Sequence, residues 1–100
     1  MASAFPSPLD IAAAIRFIES DEAGTRLHDL DYVRMTAFNA GGKALKHDDC
    51  VSALSWYRVL TRGREKAPPG SLSRSFIECE YGLAARIACV CGGPNSPLGG

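Results

Sequence analysis

Residues 48–63, DDCVSALSWYRVLTRG, read as one amphipathic helix with both ends marked. Asp48 or Asp49 caps the N-terminal amides, and either charge suits the positive end of the helix dipole. Arg58, Arg62 and Arg64 suit the negative end, and Gly63 is the expected residue just past the C-cap. Val51, Leu54, Trp56, Val59 and Leu60, with Ala53 and Tyr57, spread over more than one narrow stripe. A helix apolar over so much of its circumference has neighbours on two sides. The expected fold is therefore all-α: a compact bundle of three to four helices built on an αα-hairpin, with the 48–62 helix central and Trp56, the only tryptophan, in the core.

The flanking sequence supplies the other helices. Ser7-Pro8-Leu9-Asp10 has the form of a helix start, with Ser as N-cap, Pro at the first position and an acid at the third. That helix is expected to reach Ile18, with Ile11, Ile15 and Ile18 on one face and Ala12 to Ala14 permitting close approach. Residues 19–24 form an acidic loop. A second helix starts near Thr25 or Asp29 and reaches Ala40, with Leu30, Val33 and Ala37 on one side. Gly41-Gly42 ends or loosens it, and residues 43–47 are a bent extension or a connector. Pro68-Pro69-Gly70 breaks the chain after the central helix. The last helix begins at a capping box, Ser75 to Glu78 in the S-x-x-E form. Its stripe is Ile77, Tyr81, Ala84, Ala88 and Cys91, with a second stripe of Phe76, Leu83, Ile87 and Val90 beside it. A helix with two apolar faces in so small a domain points to a homo-oligomer. Gly92-Gly93-Pro94 stops it. One domain is expected over residues 1–94, with an irregular arm at 1–7 and a flexible tail at 95–100.

Composition excludes several classes. Of 100 residues, 46% are hydrophobic and 22% charged, with zero net charge. That is the profile of a globular domain, with no general attraction to nucleic acid. Residues 1–50 carry five Lys/Arg against eight Asp/Glu, and residues 51–100 carry six against three. The basic residues of the second half cluster at Arg58, Arg62, Arg64, Lys66 and Arg74, a candidate contact for RNA or an acidic partner; the plainer reading is a solvated helix end. No apolar run is long enough to span a membrane. The start lacks the pattern of a secretory signal, so the four cysteines are expected as reduced thiols rather than a disulfide framework.

Catalytic motifs are missing: no nucleophile elbow, phosphate-binding loop or H-E-x-x-H occurs, and the histidines are only His28 and His47. The chain is read as a non-enzyme. A candidate zinc set is His47, Cys50, Cys89 and Cys91, since zinc takes four N/S ligands, often in close pairs. Its rival reading makes Cys50, like Cys79, a core filler, and no cofactor is otherwise expected. Asp49, Ala53, Leu54 and Tyr57, with Gly41 ahead of them, resemble the helix pair of a tetratricopeptide repeat. Ala37, Leu60 and Pro68 depart from that pattern, and no second copy follows. A helical adaptor or chaperone-like module, dimeric and built on this hairpin, is the alternative function.

A set of landmarks runs in order along residues 5–94. It comprises Phe5-Pro6, Ala14-Ile15-Arg16-Phe17-Ile18, Leu27-His28-Asp29-Leu30, Asp49-Cys50-Val51-Ser52-Ala53 with Tyr57, Arg62-Gly63, and Cys89-Val90-Cys91 with Pro94. Together they resemble the geminivirus pre-coat protein family. The resemblance implies a non-enzymatic viral protein of the plant-cell cytoplasm, with the nucleus as the alternative location, that suppresses RNA silencing by binding a host silencing factor. It also implies self-association and a role in viral spread, and leaves room for weak RNA binding. It carries Cys89 and Cys91 over as the residues that matter for suppression. Trp56 and Tyr57 join them as candidate partner-binding residues. The chain departs from the family in its tail, which lacks further cysteine, histidine and basic residues, and in Gly41-Gly42 and Pro68-Pro69-Gly70.

Overall fold

A computed structural model describes residues 9–92. The described residues form four helices: α1 (Ile11–Glu19), α2 (Leu27–Lys46), α3 (Cys50–Lys66) and α4 (Ser71–Cys91). No strand occurs among the described residues, so the fold is an all-α bundle. The expected arm and tail lie outside them. The central position of α3 follows from its contacts: it packs against α1, α2 and α4, whereas α1 rests mainly on α3.

α1 and α3 begin at side-chain caps, and two helix starts differ from expectation. The Asp10 carboxylate accepts from the Ala13 N–H at 2.7 Å, so Asp10 is the cap of α1 rather than its third residue. At the other end the Ser20 hydroxyl donates to the Phe17 carbonyl at 2.6 Å. Asp49 caps α3 by accepting from the Ser52 N–H at 3.1 Å. Hydrogen bonds from the Ser52 side chain and then its backbone hold the Asp49 carboxyl below its usual pKa. α4 begins at Ser71, after Gly70 with φ 144°, so Ser75 and Glu78 lie inside the helix and form no capping box.

The turn between α2 and α3 is short because of a Schellman arrangement. The Asp48 N–H donates to the Leu45 carbonyl at 3.1 Å and the Asp49 N–H to the Ala44 carbonyl at 2.9 Å. Asp48 takes the left-handed conformation this demands, with φ 56°. Aspartate is one of the few non-glycine residues that visits it routinely.

The largest correction to the helix boundaries concerns glycine. α2 runs straight through Gly41-Gly42, and Gly63 lies inside α3 rather than past its end. All three are buried. A Cβ on Gly63 would stand 2.3 Å from Phe76 Cε1, and one on Gly41 would stand 2.7 Å from Leu83 Cδ2. Phe76 and Leu83, both fully buried, are seven residues apart on one face of α4. Each fills a hole that only glycine leaves open, one on α3 and one on α2. These are packing glycines, and helix propensity gives way to the contact they permit.

The same fit fixes which face of α4 points inward. Phe76, Leu83 and Ile87 are fully buried, while Tyr81 is 72% exposed. The stripe through Ile77, Tyr81 and Ala88 therefore faces largely outward. Beside the apolar contacts lies one charged pair: Arg64 Nε donates to Glu80 Oε2 at 2.6 Å, and the Thr61 hydroxyl lies 3.5 Å from Glu80 Oε1. Glu80 is buried, and the pairing raises the pKa of Arg64. Such a pair contributes little net stability but is costly to break from one side.

The glycine contacts make a direct prediction. Gly63→Ala adds a good helix former, worth up to about 1 kcal/mol, yet drives a methyl group into the Phe76 ring, with an overpacking cost of about 1–3 kcal/mol. Net destabilisation of about 1–2 kcal/mol is expected in urea unfolding. Adding Phe76→Leu should recover part of it; strictly additive losses would mean that the two residues do not meet.

Candidate functional site

Two surfaces are candidates, and both depend on how α4 is laid across the α2–α3 hairpin. The first is a cleft between the C-terminal half of α2 and the outer part of α4. It has a volume of about 410 Å³ and is lined by Phe38, Asn39, Gly42, Lys43, Lys46, His47 and Arg86. Lys43 and Lys46 share one face of α2 by their three-residue spacing. Arg86 enters the lining from α4, its guanidinium close against α2 at Gly42. A Cβ at that glycine would stand 2.5 Å from Arg86 Nη1 and 3.2 Å from Cζ. Among the described residues no carboxylate pairs with Lys43, Lys46 or Arg86.

The second is the outward face of α4, where Tyr81 and Ala88 are exposed and Ile77 and Ala84 half-buried. Of the predicted site residues only His47 lines the cleft, and none is among Ile77, Tyr81, Ala84 and Ala88 of the α4 face. Trp56 is 7% exposed and belongs to the core, so it is not available to a partner; Tyr57 beside it is half-buried. The predicted basic cluster is divided. Arg64 turns inward to Glu80, Arg62 stands 3.8 Å from Glu19 on α1, and Arg58, Lys66 and Arg74 are exposed. Arg58, Arg62 and Lys66 still form a stripe along α3 by their four-residue spacing.

The cysteines differ most from expectation. Cys50 and Cys91 form a disulfide that ties the start of α3 to the end of α4. Cys89 is a free, exposed thiol. Cys79 is free and half-buried, its sulfur 3.2 Å from Arg34 Nη1. The disulfide overturns both the reduced-thiol expectation and the zinc set of His47, Cys50, Cys89 and Cys91, since a bonded sulfur is no longer a thiolate ligand. No group of three or more His, Cys, Asp or Glu side chains placed to hold a metal ion occurs among the described residues. Cys89 and Cys91 do not act as a pair: one is bonded elsewhere, the other open to solvent.

Fold and surfaces together define a small four-helix domain carrying a basic cleft and an exposed apolar helix face. No family model, curated protein or solved structure matches the chain. Among the described residues, no helix is long and apolar enough to cross a membrane.

Proposed function

We propose that this chain is a non-enzymatic interaction protein that suppresses host RNA silencing by binding a host silencing factor through the outer face of α4. The observation that carries the interaction reading is the apolar stripe through Ile77, Tyr81, Ala84 and Ala88. It has helical periodicity yet faces largely outward, with Tyr81 72% exposed. An unpartnered face of this kind suits a groove or a second helix. The silencing role rests on the resemblance of residues 5–94 to the pre-coat family. RNA contact, if part of the activity, falls to the stripe of Arg58, Arg62 and Lys66 along α3.

The test is transient suppression of reporter silencing in leaf tissue, with protein levels checked by blot. Wild type is expected to restore reporter expression. Tyr81→Glu is expected to abolish suppression at equal protein level, and Cys89→Ser to weaken it. Cys91→Ser is avoided because it also breaks the disulfide. A well-expressed wild type that restores nothing removes the silencing role. The second reading, a dimeric helical adaptor, draws on the same α4 face and on the α2–α3 hairpin. It requires a dimer whose formation Tyr81→Glu disrupts, and a monomer by light scattering at micromolar concentration counts against it.

A further inference from the structure

The cleft between α2 and α4 has features that folding alone does not explain. Among the described residues that line it are three cations, Lys43, Lys46 and Arg86, and no acid. Two of the three have a simple reason to be there: Lys43 and Lys46 occupy the last turn of α2, where positive charge complements the helix dipole. Arg86 has no such reason. It lies before the last turn of α4 and holds no carboxylate among the described residues, yet it lines the same cleft as both lysines, with its guanidinium against Gly42. The position depends on Gly42, because a Cβ there would stand 2.5 Å from Arg86 Nη1. A glycine in a helix interior and a convergence of like charges both oppose stability. An anion drawn into the cleft reverses the sign of the second.

We propose that this cleft binds a phosphate monoester of mononucleotide size. The charge set suits a dianion better than a single carboxylate: Arg86 offers a planar fork of donors, and Lys43 and Lys46 offer point charges beside it. The volume of about 410 Å³ falls in the range of small-ligand pockets and exceeds the needs of a bare phosphate. The rest of the lining is of a different kind. Phe38 presents a half-buried ring and Asn39 an amide, and they lie eight helical residues, roughly 12 Å, from Lys46 and His47. The phosphate is held at the Lys43, Lys46 and Arg86 end, and the base lies against Phe38, with Asn39 in reach of its polar edge. The inference is independent of the silencing reading, so either can fail alone.

The test is a binding titration of the full chain, disulfide intact, followed by amide chemical shifts. The probes are AMP, UMP, their nucleosides and inorganic phosphate. The monophosphates are expected to bind at least tenfold more tightly than the nucleosides, with shifts at residues 38–47 and around Arg86. Affinity should fall as salt rises. Arg86→Gln with Lys43→Gln should lower it at least tenfold. Gly42→Ala should displace the guanidinium and lower affinity at least threefold while leaving the melting temperature equal or higher, a combination that a merely structural glycine does not give. A short RNA with a 5′-phosphate, compared with its 5′-hydroxyl form, separates the two sources of the same chemistry. Preference for the phosphorylated strand over AMP points to an RNA end, and equal binding points to a free nucleotide. Nucleosides binding as well as monophosphates, shifts confined to other residues, or full affinity in the Arg86→Gln/Lys43→Gln variant would each overturn the proposal.

Discussion

Trp56→Ala is expected to lower the unfolding free energy by about 3–5 kcal/mol. Domains of this size are stable by only about 5–15 kcal/mol, so a large fraction of the variant should be unfolded at physiological temperature. The indole is 7% exposed on α3, the helix that touches all three others. Its surroundings make the loss hard to relieve. Trp56 lies on the helix that packs against the other three, so a shift of α3 to close the space would disturb each of those interfaces. Cavities that cannot collapse give the high end of the measured range. Trp56→Phe, which refills most of the space, should cost less than half as much. Far-UV circular dichroism in urea is the appropriate probe, since the change removes the chain's only tryptophan fluorophore. A loss below about 1 kcal/mol for Trp56→Ala would show that the indole is not a core residue.

Much of the fold was legible because α3 announces itself. Asp49 caps it, its apolar residues cover more than one stripe, and Pro68-Pro69-Gly70 ends the segment that follows. The misplaced helix ends at glycine share one physical origin. Local rules treat glycine as a helix breaker, and at Gly41, Gly42 and Gly63 the competing principle is close approach between helices. Nothing in the neighbouring sequence reveals that Phe76 needs Gly63, thirteen residues earlier and on another helix. Periodicity has a similar limit. The stripes through Ile77 and through Phe76 are both helical, and the pattern cannot tell which turns inward. The glycine holes decide it.

The cleft was hidden for the same reason. Once α2 is stopped at Ala40, Lys43 and Lys46 become loop residues and lose their shared face. Arg86 lies forty residues further on and carries no motif. The charge split also misled: the first half of the chain is net acidic, yet it supplies two of the three cations that line the α2–α4 cleft. By contrast, the 58–74 cluster, dense in sequence, is divided by Arg64 turning in to Glu80. Sequence density of charge is a poor guide where successive helical residues point 100° apart.

Reducing the Cys50–Cys91 disulfide should cost the second-largest amount. The bond closes a segment of 41 residues, and the chain-entropy relation puts its effect on the unfolded state at about 4 kcal/mol, with 2–4 kcal/mol the usual range for such bonds. It also restrains a weak end of the fold. The last residues of α4 before Cys91, from Ala88 to Val90, are all exposed, and no basic side chain complements the dipole there. With the bond broken, the final turn of α4 has little apolar burial to keep it helical, so the loss should appear first as faster amide exchange over residues 87–92 and then as a lower melting temperature. Cys89→Ser should change neither, because that thiol is free. Alkylation in denaturant without reductant should mark two cysteines, Cys79 and Cys89, and reduction should raise this to all four. Four reactive thiols in protein purified under oxidising conditions, or equal stability with and without reductant, would remove the bond from the account of stability. In a compartment that keeps thiols reduced, the end of α4 would then be the least stable part of the domain. The outward α4 face would keep its Tyr81 half, anchored by Phe76 and Leu83 in their glycine holes, and lose its Ala88 half.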